Sequence, residues 1–330
     1  MLSPFSLRNY HFSHNLIAGP IAGISNATYR SLITQFSHPA FCYSEMISAH
    51  ALVNRPDFIR QHFLTKAPQE GTVCFQLFGN DASYLAKATA FISKLPEQNL
   101  LIDLNCGCSV PKIRKNGSGS KLLEDPEKLS LIIRAMREQT DLPLIIKIRI
   151  TKNHNLNLEL VDLLNHSGAD AVVVHGRTPQ DSWGTPCNYT AIGWFVQHLK
   201  LPVIGNGDVR DLSSLKQMLA TNCTAVMISR ALIGKPWLIA ELKAAAENQT
   251  FTPPSSKQIM EIFISHIETL AQISGNERSA VLKARTLAHS YLKHFPNRKE
   301  FYDKLNHITD LKTFTDLCHV ALPLYTGRIP

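Results

Sequence analysis

The chain has 330 residues, of which 44% are hydrophobic, 8% aromatic and 18% charged. This length and composition are typical of a globular protein with one large domain and a smaller one, and they exclude a disordered chain or a small disulfide scaffold. The 34 Lys and Arg residues outnumber the 26 Asp and Glu residues, so the formal net charge is +8. A polyanion is therefore a reasonable partner.

No apolar stretch approaches the roughly 18 residues that a membrane-spanning helix needs, and the first residues lack a basic segment followed by an apolar core. We therefore expect a cytoplasmic protein with no membrane contact. The seven cysteines are an odd number spread along the chain, which favours reduced thiols. Cys106 and Cys108 do not form a C-x-x-C pair, so no metal site is expected.

Between residues 15 and 245, short apolar runs rich in β-branched residues alternate with segments of helical period. Several of these runs are apolar on both faces, as parallel strands covered by helices are. Eight strands are predicted, at residues 15–19, 41–46, 72–78, 100–105, 144–150, 171–175, 202–206 and 225–229. Helices are predicted between them, among others at residues 82–94, 126–139, 158–167 and 212–220.

Eight strand–helix units in about 230 residues match the size and order of a (β/α)8 barrel. An open doubly wound sheet is the alternative. Against it, no G-x-G-x-x-G motif follows the first strand, and polar residues end many strands instead of clustering at one switch point. The sequence therefore predicts an α/β protein with a (β/α)8 barrel in residues 1–248.

The remainder of the chain has a different pattern. The segment TFTPPSS reads as a linker, because paired prolines cannot continue a helix and the serines offer a cap for the next one. Helical periodicity then covers residues 257–273, 278–294 and 301–318. We predict a small helical bundle domain in residues 249–330.

Polar residues end nearly every predicted barrel strand. The carboxyl ends of parallel barrel strands meet at one face, where the active sites of such enzymes lie. Burying unpaired polar groups costs about 1 to 3 kcal/mol each, so a set of this size indicates a functional site. The set comprises residues 20–23, Glu45, Gln76, Asn105, Cys108, Lys147, Arg149, His175, Arg177, residues 206–208, Ser229 and Arg230.

Three features of this set suggest chemistry. The strand ends GNGD and MISR offer small residues and backbone N–H groups for a phosphate, and Arg230 can bind its oxygens bidentately. Lys147 lies in an otherwise apolar strand, where a buried ammonium needs an anionic or carbonyl partner such as a reduced flavin ring. Cys108 lies on a turn before a basic loop, as a nucleophile or proton donor would, whereas a buried apolar role is its alternative.

These segments resemble the tRNA-dihydrouridine synthases, and within them the bacterial B-type (NifR3-like) branch. The resemblance rests on the order, along nearly the whole chain, of PIAGISNATYR, SEMIS, FQLFGND, IDLNCGC with GSGSKLL, IKIR, VVHGRT, PVIGNGD, MISRALIGKPWL and KARTLAHSYLKHFP. It implies an FMN-binding barrel, a helical tRNA-binding domain, and NADPH-dependent reduction of the uracil C5–C6 double bond in tRNA. We expect such a protein to act as a monomer.

The resemblance also implies roles for single residues. Cys108 would protonate uracil C5 while reduced FMN delivers hydride to C6. Asn105, Arg149 and Arg177 would orient the uracil. The FMN-binding residues would be Pro20, Ile21, Gln76, Lys147, His175, Asn206, Gly207, Asp208, Ser229 and Arg230.

The chain departs from the family pattern at three places. A Ser-Val pair separates Cys108 from Pro111, where the family has proline directly after the cysteine. Ile21 replaces a methionine of similar volume. Ser229 replaces the glycine of an I-G-R turn, which matters if that turn requires a positive φ.

Two other functions are compatible with the same residues. An FMN-dependent reductase of a small conjugated carbonyl or of a free pyrimidine would act without RNA. A tRNA-binding folding helper whose flavin site has decayed would bind tRNA but little flavin.

Overall fold

Eight parallel strands close into a barrel, and a short hairpin precedes them. The computed structural model describes residues 2–182, 184–296 and 298–321. The strands are β1 (Phe5–Leu7), β2 (Tyr10–Phe12), β3 (Leu16–Ala18), β4 (Cys42–Ser48), β5 (Val73–Phe78), β6 (Leu100–Cys106), β7 (Leu144–Arg149), β8 (Ala171–His175), β9 (Val203–Asn206) and β10 (Ala225–Ile228). Strands β3 to β10 form the barrel, in which β10 pairs with β3. The predicted (β/α)8 barrel is confirmed, and each predicted strand end lies within two residues of the observed one.

The hairpin β1–β2 closes the amino-terminal end of the barrel. Its apolar side chains join the buried cluster inside the barrel, which includes Ile17, Leu101 and Ile145. The ring of Phe12 lies 5.2 Å from that of Phe41, measured between centroids. The sequence analysis missed this hairpin, because strands of three residues are too short to show an alternating pattern.

Helices cover the outside of the barrel. They are α1 (Ala27–Ser37), α2 (Ala49–Asn54), α3 (Pro56–Phe63), α4 (Ala82–Ser93), α5 (Pro111–Lys115), α6 (Pro126–Arg137), α7 (His154–Asn165), α8 (Tyr189–His198), α9 (Leu212–Leu219) and α10 (Leu238–Ala246), with 3-10 turns at Gly119–Glu124 and Arg230–Leu232. Helix α6 begins as predicted, with Pro126 in its first turn and the Asp125 carboxylate accepting from the Lys128 N–H. Helix α7 begins a turn earlier than the predicted residue 158, because the Asn153 side chain caps it.

Residues 250–255 carry neither helix nor strand, and four further helices follow them in the described residues up to 321. They are α11 (Ser256–Ser274), α12 (Glu277–Tyr291), α13 (Arg298–Leu305) and α14 (Leu311–Ala321). The predicted single helix over 301–318 is wrong. The chain turns after Leu305, and the Asp310 carboxylate then accepts from the Thr313 N–H to start a new helix. No helix in the described part of the chain is both long and apolar enough to cross a membrane.

The molecule has two outer apolar clusters besides the interior of the barrel. One lies between the barrel strands and helices α1 to α10. The other lies among α11 to α14 and includes Leu32 of α1 and Trp237. The second set of helices therefore packs on the barrel through α1 and through the segment that leads into α10.

Candidate active site

The strand register brings the predicted site residues to one end of the barrel. Asn105 pairs with Lys147, and Arg149 pairs with His175, which in turn pairs with Asn206. These residues lie at or near the carboxyl ends of β6 to β9. Gln76 lies near the end of β5, and the remaining predicted residues follow strand ends directly: Pro20, Ile21, Cys108, Arg177, Gly207, Asp208, Ser229 and Arg230.

Positive charge dominates this end of the barrel and affects the pKa of His175. The pKa of His175 is lowered to about 2, first by burial and then by four neighbouring cations. These cations are Lys147, Arg149, Arg177 and Arg230. The imidazole is therefore neutral at physiological pH, and the surrounding charge favours an anionic ligand.

Arg177 and Asp208 form an ion pair just beyond the carboxyl ends of β8 and β9. Arg177 is 5% exposed, and its Nη2 donates to both Asp208 carboxylate oxygens, at 2.8 and 2.7 Å. Arg230 donates to the same carboxylate at 3.4 Å, as does the Cys187 N–H at 2.9 Å. The Asp208 side chain therefore orients two arginines. Nη1 of Arg177 is buried and has no hydrogen-bond partner among the described residues, so it is the part of this residue left for a ligand.

Two small residues, Gly207 and Ser229, follow β9 and β10 beside these arginines. Gly207 has a φ of 136°, and a Cβ there would lie 2.5 Å from the Cys187 sulfur, so only glycine fits. Ser229 has a φ of −121°, so its turn does not require glycine and accommodates the serine. The Ser229 hydroxyl lies 2.3 Å from the place that a Cβ on Gly19 would take. The ends of β3, β9 and β10 thus approach closely around Ser229.

Cys108 lies two residues beyond β6 and is half-buried. Its N–H donates to Asn105 Oδ1 at 2.9 Å, and its carbonyl accepts from the Ser120 N–H at 2.9 Å. Lys147 and Arg149 both lie within electrostatic range of its sulfur. The thiol therefore lies on an anchored loop between two cations.

Arg149 is held by the loops around it. Its Nε donates to the Gly107 carbonyl at 2.6 Å, and its Nη1 donates to the Thr178 carbonyl at 3.1 Å. Burial is the largest of the effects that lower the pKa of Arg149. The guanidinium therefore joins the Cys108 loop to the loop after β8.

One charged residue of this region was not predicted. Asp103 on β6 is fully buried and accepts a hydrogen bond from Gln76 Nε2 at 2.7 Å. Burial raises its pKa to about 7, and burial together with Arg149 lowers that of Lys147 to about 8. The sequence contained a signal for this residue. Asp103 is an acidic residue in an otherwise apolar run, and it lies two positions before Asn105, on the same face of the strand.

Some basic side chains of the loop after Cys108 form salt bridges, and others are exposed. Arg114 and Lys121 both donate to the Glu124 carboxylate. Lys112 and Lys115 are exposed on α5. Pro111 begins this helix, three residues after Cys108.

The turn at Pro20 and Ile21 is held by its own hydrogen bonds. The Ile21 N–H donates to the Ser25 hydroxyl at 3.0 Å, and the Gly23 N–H donates to the Glu45 carboxylate at 2.5 Å. The turn therefore lies at the barrel mouth, with its hydrogen bonds made to its own loop and to β4. The described residues contain no group of three or more His, Cys, Asp or Glu arranged to hold a metal ion.

Comparison with known proteins identifies the family. The family model described as dihydrouridine synthase (Dus) matches residues 16–324. The chain belongs to the dihydrouridine synthase family. A protein of Helicobacter pylori named "Probable tRNA-dihydrouridine synthase" is 30% identical over 304 residues, covering 91% of this chain and 90% of the relative. The tRNA-dihydrouridine synthase B of Vibrio vulnificus is 28% identical over 305 residues, covering 91% and 93%.

The predicted family resemblance, including that to the B-type branch, is thereby confirmed. A solved structure supports the fold alone. The crystal structure of DHODH in complex with ferulenol from Eimeria tenella has a TM-score of 0.57 and 11% sequence identity, covering 74% of this chain and 84% of that one.

Proposed function

We propose that this dihydrouridine synthase family member reduces the C5–C6 double bond of uridines in tRNA, using FMN as its cofactor and NADPH as the reductant. The observation that carries the proposal is the cluster of four cations around a neutral His175, with the Cys108 thiol beside it. Relatives named tRNA-dihydrouridine synthase, aligned over 91% of the chain, support the choice of substrate.

The residues at the barrel mouth fit a flavin mononucleotide. We place its phosphate at the backbone N–H groups of Gly207 and Ser229, with the Arg230 guanidinium beside them. Lys147 supplies the buried ammonium that an electron-rich ring system needs. When bound, FMN supplies the hydride for uracil C6. We assign its binding to Pro20, Ile21, Gln76, Lys147, His175, Asn206, Gly207, Asp208, Ser229 and Arg230.

The chain's own residues supply the proton and the orientation of the base. Cys108 donates the proton that completes the reduction at C5, as a positioned general acid. Asn105 and Arg149 hold the uracil, and Arg177 contributes its unpaired Nη1. Cations near the C4 carbonyl also stabilise the charge that builds there as C6 accepts hydride.

The substrate is a whole folded RNA, so the target base must leave its stack to reach this site. We assign tRNA binding to a helical domain of residues 249–330, together with the exposed Lys112 and Lys115 beside Cys108. The net charge of +8 suits that partner. A monomer in the cytoplasm remains our expectation.

Anaerobic stopped-flow spectroscopy tests the proposal. The FMN-loaded protein is reduced with NADPH and mixed with tRNA from cells that lack dihydrouridine, and flavin absorbance is followed. We expect rapid reoxidation by this tRNA but not by free uridine, with dihydrouridine detected in the product. Reoxidation by a free pyrimidine or a conjugated carbonyl alone would instead identify a small-molecule reductase, and tRNA binding without retained flavin would identify an RNA-binding protein.

A further inference from the structure

We propose that Asp103 is a positioning residue, which orients the side chains of Gln76 and Asn105 and thereby anchors the backbone of Cys108. The catalytic consequence rests on the proposed function, because it is there that Cys108 is the general acid. The orientation of the side chains does not depend on that function.

Four hydrogen bonds connect Asp103 to the Cys108 loop. Asp103 Oδ2 accepts from Gln76 Nε2 at 2.7 Å, and Gln76 Oε1 accepts from Asn105 Nδ2 at 2.8 Å. Asn105 Oδ1 then accepts from the N–H groups of Cys108, at 2.9 Å, and of Gly107, at 3.2 Å. Asp103 is fully buried, and Gln76 and Asn105 are 1% and 8% exposed, so these bonds form almost out of contact with solvent.

The direction of each bond follows from the carboxylate. An ionised carboxylate only accepts hydrogen bonds, so Gln76 must turn its NH2 group toward Asp103 and its oxygen toward Asn105. Asn105 must then turn its own oxygen toward the Cys108 loop. A neutral amide at position 103 can donate as well as accept, so it allows both side chains to flip and to present NH2 groups to the loop N–H groups.

Stability alone does not account for this carboxylate. The titratable groups within electrostatic range of it are Tyr43 on β4, Cys74 on β5, Lys147 on β7 and Cys106, which points to the opposite face of its own strand. Burial outweighs the hydrogen bond from Gln76 and the attraction of Lys147, and it raises the pKa of Asp103 from 3.8 to about 7. An acid whose pKa is raised by folding releases its proton less readily in the folded state, so its ionisation destabilises the fold as the pH rises through this range. A residue retained only for stability would not be ionised here.

Hydrogen exchange of the full-length, FMN-loaded protein tests whether Asp103 positions the Cys108 loop. Asp103→Asn is the variant and Tyr43→Phe is the control. Tyr43 also donates to Asp103, at 3.3 Å, but to Oδ1 and not to the Oδ2 that accepts from Gln76. In Asp103→Asn we expect the Gly107 and Cys108 amides to exchange at least about tenfold faster, because their acceptor is no longer oriented. Tyr43→Phe should leave these two amides protected.

Two further measurements separate positioning from structural support. In the wild type, protection of these amides, corrected for intrinsic exchange, should decline as the pH falls through about 7, whereas in Asp103→Asn it should stay low throughout. The melting temperature of Asp103→Asn at pH 8 should equal or exceed that of the wild type. Turnover with saturating tRNA should fall by about tenfold or more, as expected for a misplaced catalytic group.

The proposed positioning role of Asp103 is wrong if Asp103→Asn leaves exchange at residues 107–108 unchanged. It is also wrong if the whole barrel loses protection together with a large drop in melting temperature. Failure of the proposed function has a different signature. In that case the wild type forms no dihydrouridine, while the exchange difference between wild type and Asp103→Asn, measured without tRNA, persists.

Discussion

At the scale of single residues, the chemistry of this protein depends on which thiols and cations remain accessible. Five of its seven cysteines are buried, whereas Cys108 and Cys187 are half-buried. Burial, together with a smaller contribution from Asp208, raises the pKa of Cys187 to about 11. Cys108 instead lies near Lys147 and Arg149, so the two accessible thiols differ in electrostatic surroundings.

We expect Cys108→Ala to slow uracil reduction by roughly 10²-fold or more, because a general acid contributes on that scale. Affinity for FMN and for tRNA should stay within about twofold, since the backbone bond to Asn105 does not need the thiol. Single-turnover kinetics and flavin titration measure the two effects. Cys187→Ala is the control and should react at a nearly normal rate, and equal rates in both variants would remove Cys108 from its role.

The variant Lys147→Ala tests whether the ammonium group of Lys147 contacts FMN. Loss of a hydrogen bond from a charged group costs about 1.5 to 3 kcal/mol, so FMN affinity should fall by roughly 10- to 100-fold. Fluorescence titration of the apoprotein with FMN measures this change. The exposed Lys200 at the opposite end of the barrel provides the control, Lys200→Ala. Unchanged FMN affinity and unchanged flavin reduction in Lys147→Ala would refute the contact.

At the scale of elements, a buried ion pair holds the first barrel loop in place. Arg30 of α1 donates to the Glu70 carboxylate at 2.7 Å, and both residues are buried. The same guanidinium donates to the carbonyl of Ser25, at 3.1 Å, in the turn that contains Ile21. The loops after β3 and before β5 are therefore tied to α1 through one side chain.

Arg30→Ala should lower the free energy of unfolding by about 3 to 5 kcal/mol, because it leaves the Glu70 carboxylate buried without its partner. Urea denaturation measures the loss. The double variant Arg30→Met/Glu70→Leu removes both charges and should recover most of that stability. If the double variant is as unstable as Arg30→Ala, packing rather than the unpaired charge accounts for the effect.

A buried histidine lies where the helices after the barrel meet α1. His266 of α11 shares a hydrogen bond of 3.0 Å with the Tyr291 hydroxyl, and its ring stacks on Tyr29 of α1. Burial, with a smaller contribution from Lys283, lowers the pKa of His266 to about 4. Between this value and 6.5 the unfolded chain binds more protons than the folded one, so stability falls as the pH falls.

The His266→Phe variant should therefore lose part of the acid sensitivity of the wild type. The difference in the free energy of unfolding between pH 7 and pH 4 should shrink by up to about 3 kcal/mol, the equivalent of the pKa shift. Denaturant titrations at several pH values measure it. His62→Gln, an exposed control, should keep the wild-type profile. Identical profiles for His266→Phe and the wild type would show that His266 does not titrate differently on folding.

At the scale of the whole molecule, charge and shape act together on the proposed substrate. The barrel mouth and α5 place cations around Cys108, and the helices after residue 255 pack beside α1. A base that enters the mouth must come from an RNA whose backbone lies along this surface. Affinity for tRNA should accordingly fall steeply with salt, since each neutralised phosphate releases counterions.

Each phosphate contact changes the slope of log affinity against log salt by about 0.7 to 0.9. The variant Lys112→Ala/Lys115→Ala should therefore flatten this slope by roughly 1.4 to 1.8, as measured by filter binding across a salt series. Lys94→Ala/Lys200→Ala removes two exposed lysines near the amino-terminal end of the barrel and should leave the slope unchanged. Equal slopes in the two double variants would place the RNA elsewhere.

Much of the architecture follows from local patterns. Several of the eight barrel strands are apolar on both faces, and all eight are predicted to within two residues. The cap at Asp125 and the serine before α11 are short-range features that the sequence also predicts. The hairpin at residues 5–12 and the break after Leu305 were not predicted, because each depends on a segment too short to carry a period.

The sequence by itself determined the barrel, the family and the identity of the residues at the strand ends. It did not determine how those side chains pair. The bond of Arg177 to Asp208, that of Arg30 to Glu70 and that of Asp103 to Gln76 join residues 27 to 40 positions apart. Only the packing of the barrel strands with their loops and helices brings these side chains together. The tertiary structure therefore decided which charges are paired, which pKa values are shifted and which polar atoms remain for a ligand.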